Sequence, residues 1–76
     1  MKTAFALINS EVGMECSVLF DLSQMPEVME TYLVYGGYEI IVKVAAETVE
    51  DLKNVINYIR NLNKIKSIIT LLCVQR

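Results

Sequence analysis

The spacing of apolar residues changes along the chain between the repeat of a strand and the repeat of a helix. Residues 2–9 form a short apolar run whose length favours a strand. Residues 14–25 then carry apolar side chains every three or four positions, which predicts an amphipathic helix. Pro26 should end that helix, because the residue before a proline avoids the α region. The helical stripe consists of Met14, Val18, Leu22 and Met25.

Two strand-forming runs, residues 28–35 and 38–45, meet at Gly36-Gly37. Paired glycines between apolar runs indicate a tight hairpin, because both residues can adopt a positive φ at no steric cost. Glu39, at the start of the second run, is the only acidic residue between positions 34 and 44.

A second helix is predicted to begin after Thr48, whose hydroxyl precedes Asp51 by the three residues typical of a helix cap. Residues 61–63 should end this helix, and residues 65–74 form the last predicted strand. The apolar stripe of the second helix consists of Val49, Leu52, Ile56 and Ile59.

The predicted order is therefore β-α-β-β-α-β, over a single domain of residues 1–76. This order is typical of the α+β ferredoxin-like fold, a four-stranded antiparallel sheet with two helices on one face. We expect the strand order 4-1-3-2, since right-handed crossovers over strands of this length leave few alternatives.

Both faces of this sheet are predicted to be apolar, although two helices can cover only one. An uncovered face of that size marks an interaction surface. We expect a C2 homodimer in which two sheets pack face to face as an α+β barrel or sandwich. Phe20 lies off the helical stripe and should point outward, either as an isolated exposed side chain or as a higher-order contact. The opposing sets are Phe5 and Leu7 against Ala4, Ala6 and Ile8; Ile40, Val42 and Val44 against Ile41 and Ala45; and Ile69, Leu71 and Cys73 against Ile68, Leu72 and Val74.

The composition also favours self-association. The 76 residues are 54% hydrophobic, whereas globular chains average about 45–50% and a domain this small buries only about 60% of its unfolded surface. The net charge is -2 and the seven basic residues are scattered, which argues against direct nucleic-acid binding. Without a membrane-length apolar run or a signal-peptide pattern, we expect a cytoplasmic protein with no membrane partner.

Catalytic chemistry finds little support in the sequence. There is no histidine, the serines have no base at a recognisable spacing, and Glu27, Glu30 and Glu39 form no obvious acid–base pair. Cys16 and Cys73 fit no metal-binding spacing, so we expect two buried thiols rather than a disulfide or a metal site. We predict no catalytic residue, no metal and no cofactor, and a protein that is not an enzyme.

Glu39 is the acidic residue that most suggests a binding role. It follows two glycines and Tyr38, where the backbone is open and a ligand can approach closely. A carboxylate there could pair with the α-amino group of a bound amino acid, while backbone N–H groups of the turn bind its carboxylate. The alternative is an acid that flanks a turn and is merely solvated.

Three motifs resemble one known family. Residues 34–39 (VYGGYE) and the strand after them look like the G-x-[YF]-D hairpin of the Lrp/AsnC effector domain, also called the RAM domain, for regulation of amino-acid metabolism. Residues 25–28 (MPEV) are similar to its L-P-x-V motif, and residues 62–70 to its L-P-x-V-x-x-T-x-T motif. The resemblance covers essentially all 76 residues.

The resemblance implies a stand-alone effector domain without the helix-turn-helix domain of full-length members. It implies homodimers that assemble into tetramers, octamers or rings. An amino acid would bind between dimers, held by the hairpin of one subunit and the last strand of another. Glu39 replaces the usual Asp, and Ile68 replaces the first threonine of the last motif. The implied ligand-binding residues are Leu33, Val34, Tyr35, Gly36, Gly37, Tyr38, Glu39, Ile68 and Thr70.

We therefore expect an amino-acid-sensing regulatory domain that modulates transcription regulators, with full-length Lrp/AsnC proteins as partners in mixed assemblies. One alternative is a structural oligomerisation module whose pocket has lost its ligand. The other is a small dimeric ferredoxin-like enzyme, which the lack of histidine and the apolar strand faces disfavour.

Overall fold

The structure is a computed structural model that describes residues 1–74. Its four strands form one antiparallel sheet in the order β2-β3-β1-β4. This is the predicted 4-1-3-2 order, so the α+β ferredoxin-like prediction is confirmed. The elements are β1 (Lys2–Ser10), α1 (Glu15–Ser23), β2 (Val28–Leu33), β3 (Ile40–Ala46), α2 (Val49–Arg60) and β4 (Ile65–Leu72).

The second helix is stabilised at its start in the predicted way. The backbone N–H of Asp51 donates to Thr48 Oγ1 at 3.0 Å, which satisfies one of the unpaired donors of the first turn. Glu50 and Asp51 complement the positive end of the helix dipole, and Arg60 complements the negative end. No helix in residues 1–74 is long and apolar enough to cross a membrane.

Several predicted boundaries were too generous. Helix α1 ends at Ser23, before Pro26, because the chain already turns there: Gln24 and Met25 donate their N–H groups to Asp21 and Leu22. Strands β2 and β4 each end two residues before the predicted position. The prediction of buried thiols was wrong for the single chain, since Cys16 and Cys73 are both exposed.

One face of the sheet, which we call the covered face, lies beneath the helices. The alternating residues of β1 and β3 on this face are fully buried, as predicted from their spacing. They pack with apolar side chains of both helices into one core. Core residues from the strands are Ala4, Ala6, Ile8, Ile40, Val42 and Val44; those from the helices are Val18, Leu22, Leu52, Val55, Ile56 and Ile59.

The opposite face, which we call the open face, has no element of the described chain upon it. The strand register places one apolar row across all four strands, with Tyr32 beside Ile41, Ile41 beside Leu7 and Leu7 beside Ile69. Leu71 extends this surface beside Phe5. Tyr32, Ile69 and Leu71 are 50%, 44% and 52% exposed. As predicted, Phe20 also points outward from α1 and is 64% exposed.

Candidate functional site

The connection between β2 and β3 differs from the predicted tight hairpin. It is a loop of six residues, 34–39, and only Gly36 has a positive φ, +133°. The prediction of a two-glycine turn was therefore wrong. The loop is long because β3 begins only at Ile40, which pairs with Leu33 on one side and Ile8 on the other.

Five hydrogen bonds fix this loop to its own base and to the end of β1. The N–H of Val34 donates to the carbonyl of Glu39 at 2.8 Å, and the N–H of Glu39 donates to the carbonyl of Ile8 at 3.1 Å. Asn9 Nδ2 donates to the carbonyl of Gly37 at 3.0 Å. The Glu39 side chain accepts the other two, both from Ser10. The loop is thus preorganised although three of its six residues are exposed.

The Glu39 carboxylate is half-buried and bonds to the end of β1. Its Oε1 accepts from the backbone N–H of Ser10 at 2.9 Å and from Ser10 Oγ at 3.0 Å. Ser10 is itself only 5% exposed. Within residues 1–74, both hydrogen bonds to this carboxylate use one oxygen, so Oε2 retains its capacity to accept. Glu39 is therefore more than a solvated acid beside a turn.

The tip of the loop carries large apolar surface into solvent. Tyr35 is fully exposed, and Leu33 at the loop base is 62% exposed. Both glycines of the loop have open space where a Cβ would lie. Tyr38 is half-buried beside Glu39. Exposed aromatic and aliphatic side chains on a preorganised loop are suited to contact a ligand or another chain.

The structure places the hairpin residues together but separates them from the two predicted β4 residues. A single row crosses the covered face in the order Leu33, Ile40, Ile8, Ile68. Leu33 and Ile68 are therefore on opposite edges of the sheet, about 14 Å apart at the usual strand spacing. Thr70 lies one row further along β4, beside Ala6. One chain alone cannot bring the hairpin and Thr70 to the same small ligand.

Thr70 is an anomaly within the covered face. Its Oγ1 is buried and has no hydrogen-bond partner within the described chain. Buried hydroxyls are normally paired, because leaving one unpaired costs about 1–3 kcal/mol. Thr70 also lines a cavity of about 310 Å³ between α2 and the β4 edge.

Sequence reasoning missed Asn9 and Ser10, which fix the loop. In the sequence, Asn9 and Ser10 are recognisable only as the polar end of β1, because their partners Gly37 and Glu39 lie 28 and 29 positions away. The antiparallel pairing of β1 with β3 offered a way to find them. It brings the end of β1 beside the start of β3, where polar side chains can reach the loop.

Comparison with known proteins gives a consistent result. A model of the family described as the Lrp/AsnC ligand binding domain matches residues 3–76. The crystal structure of FFRP-DM1 is similar, with a TM-score of 0.94 and 41% identity over 97% of this chain and 100% of that one.

The HTH-type transcriptional regulator FL11 of Pyrococcus horikoshii is 26% identical over 95% of this chain and 48% of its own length. The chain thus spans about half the length of that curated relative. The regulator NMB0573 of Neisseria meningitidis, solved as an L-Met complex, shares the fold alone. Its TM-score is 0.81 at 10% identity, over 97% of this chain and 50% of that one.

Proposed function

The chain belongs to the Lrp/AsnC family of ligand-binding domains, and on that premise we propose that it senses a free amino acid at a site shared between copies of itself. The observation that carries the proposal is the preorganised β2–β3 loop, in which Ser10 holds one oxygen of Glu39 and leaves the other able to accept. The Glu39 carboxylate matches the α-ammonium group of an amino acid, and the open backbone beside it matches the carboxylate.

Each group of the ligand has a partner of suitable chemistry. Oε2 of Glu39 accepts from the α-ammonium, in a charge-assisted hydrogen bond. Backbone N–H groups around Gly36 and Gly37 donate to the carboxylate, since no side chain there blocks close approach. The hydrogen bonds from Asn9 and Ser10 reduce the entropy lost on binding, because the loop is already held.

A second copy of the chain completes this site. The β4 residues Ile68 and Thr70 lie on the far sheet edge from the hairpin, so those that meet a given hairpin come from another subunit. The open face supplies the dimer contact, and further contacts build a tetramer, octamer or ring. A ligand that binds only this assembled state stabilises it by mass action.

The domain is regulatory rather than catalytic, and its partners are transcription regulators of the same family. The long relative FL11 is an HTH-type regulator of which this chain matches half. Copies of this chain enter mixed assemblies with such regulators in the cytoplasm and make their state dependent on the amino acid. The L-Met complex of NMB0573, a protein of the same fold, supports an amino acid as the ligand class.

Titration calorimetry with a panel of the common amino acids tests the proposal. We expect one class of amino acid to bind the wild-type chain. Glu39→Gln, which keeps an acceptor for Ser10 but removes the charge, should weaken binding by about 10- to 100-fold, the worth of a charge-assisted hydrogen bond. Glu50→Gln, an exposed residue on α2 outside both the loop and the open face, is the matched control and should bind normally. Equal affinities in both variants would remove Glu39 from the site.

A structural oligomerisation module is the second candidate. Its supporting observation is that Glu39 already has an internal partner, Ser10, so the carboxylate needs no ligand to be satisfied. An oligomer that binds no amino acid, and that Ser10→Ala destabilises, would establish this candidate instead.

A further inference from the structure

A wide groove separates the two helices on the helical side of the molecule. Helix α1 packs mainly against β2, whereas α2 packs against β1, β3 and β4. Between them lies a groove of about 820 Å³, near the top of the range of about 300–1,000 Å³ for ligand pockets. Its apolar lining comes from Met25, Ala46, Val55 and Leu62, with Tyr58 60% exposed along one wall.

The charged side chains that line this groove are all acidic, and Met1, which carries the α-ammonium group, lines it as well. Four acids line it, and no Lys or Arg side chain does. Lys64 Nζ neutralises one of them, Asp21, at 2.7 Å. In the described part of the chain, Glu27, Glu47 and Asp51 have no cation within ion-pair distance. The cations of α2, Lys53 and Arg60, line the cavity on the opposite flank of the helix.

We propose that the groove between α1 and α2 docks a cationic amphipathic segment of a protein partner. An apolar lining edged by unneutralised carboxylates complements a segment with apolar side chains on one face and Lys or Arg beside them. A single metal ion is a poor match, since no three potential metal ligands converge within residues 1–74. The negative rim repels acidic ligands.

The groove and the amino-acid site are physically separate. The groove reaches Ala45 and Ala46 at the end of β3, whereas the loop with Glu39 precedes Ile40 at its beginning. The seven residues of β3 hold the two apart, by about 20 Å at the usual rise per residue. Docking in the groove therefore does not depend on the proposed amino-acid site.

Each part of the segment has a distinct contact. Its apolar side chains bury the lining residues Met25 and Leu62, and its cations pair with Glu27, Glu47 and Asp51. The exposed ring of Tyr58 offers a face to a further Arg or Lys. The affinity should fall as salt rises, because the rim charges are exposed and screened.

Fluorescence anisotropy with a synthetic probe tests this inference on the full chain. The probe is a fluorescein-labelled helical peptide with leucines at helical spacing and lysines beside them; a second peptide has glutamates in place of the lysines. We expect only the cationic peptide to bind. The double variant Glu47→Gln/Asp51→Asn should weaken its binding by about tenfold, since both rim charges are lost.

The control variant Glu11→Gln/Glu50→Gln changes the net charge equally. Glu50 shares the first turn of α2 with Asp51 but does not line the groove. We expect its affinity to change less than about twofold, because exposed charges outside an interface contribute little. Tyr58→Ala should weaken binding while the chain stays folded, since Tyr58 is exposed.

Equal weakening by both double variants would overturn the inference, because binding would then follow net charge alone. No effect of Tyr58→Ala on the peptide would also contradict it. The wild-type chain could instead fail to bind the peptide, while the Glu47→Gln/Asp51→Asn substitution dissociates the chain's own oligomer. That result would assign the groove to a second copy of the chain.

Discussion

The two faces of the sheet carry similar apolar side chains but have different surroundings. On the covered face, Ile8, Val42 and Val44 are fully buried by the helices of the same chain. On the open face, Ile69 and Leu71 remain about half exposed, although they belong to the same sheet. Two helices cover one face, and no element of the described chain covers the other.

The candidate site shows the same division. The hairpin with Glu39 lies on the β2–β3 side of the sheet, and Thr70 lies on the β4 edge. In the assembly proposed above, the covered face stabilises the single chain, whereas a second copy would contact the open face and the two edges. Four predictions test this difference between the faces.

The largest effect should come from the covered face. Ile8→Ala removes a fully buried side chain from the centre of the core. We expect the free energy of unfolding to fall by about 2–5 kcal/mol, from the lost apolar burial and the cavity left behind. Chemical denaturation measures it. A loss below about 1 kcal/mol would contradict the position of Ile8 in the core.

A substitution on the open face should change the oligomeric state of the chain rather than its folding. Leu71→Glu places a charge in the exposed apolar surface, and we expect the oligomer to dissociate to a folded monomer. Sedimentation velocity and circular dichroism report the two properties separately. Phe20→Glu is the control, at an apolar residue on α1 that is 64% exposed against 52% for Leu71. If both variants keep the wild-type oligomer, the open face is not the dimer interface.

Thr70→Val should separate stability from function on the covered face. Valine has a similar shape and removes a buried hydroxyl that has no partner in the described chain. We expect the free energy of unfolding to stay level or rise by about 1 kcal/mol, since no hydrogen bond is lost. Amino-acid binding should weaken. A clear loss of stability would show that the hydroxyl has a structural partner.

The smallest effect concerns the polar edge of the open face. Tyr32 donates its hydroxyl to Glu30 Oε1 at 2.7 Å, and this hydrogen bond and the negative charge raise the pKa of Tyr32 above 10.0. The contact contributes to the stability of the folded chain at pH values below the ordinary pKa of tyrosine. That contribution is lost as the pH rises through the raised pKa of Tyr32. Glu30→Gln should lower the pKa of Tyr32 in an NMR titration. Glu11→Gln should not.

The fold could be predicted from the sequence because its causes are local. The alternation in Ala4, Ala6 and Ile8 fixes the buried face of β1, and the Thr48 hydroxyl fixes the start of α2. The resemblance to the family located the candidate site at the β2–β3 connection, which the structure shows as a six-residue loop, 34–39, rather than the predicted two-glycine turn.

What the sequence could not predict depends on contacts across the chain. Within the loop only Gly36 adopts a positive φ, and the carbonyl of Gly37 accepts from Asn9, a contact that the two adjacent glycines do not reveal. The Glu39 carboxylate is held by Ser10, 29 positions away. Cys73 alternates with Ile69 and Leu71 on the open face, and its thiol is exposed because no element of the described chain covers that face.

If the amino-acid site is shared between copies of the chain, mixing two defective variants should restore binding. Glu39→Gln chains and Thr70→Val chains should each bind the amino acid weakly on their own. Dissociated, mixed in equal amounts and reassembled, they should recover about a quarter of the wild-type sites, each with Glu39 from one variant and Thr70 from the other. Calorimetry that finds no recovery, in oligomers shown to contain both chains, would contradict a shared site.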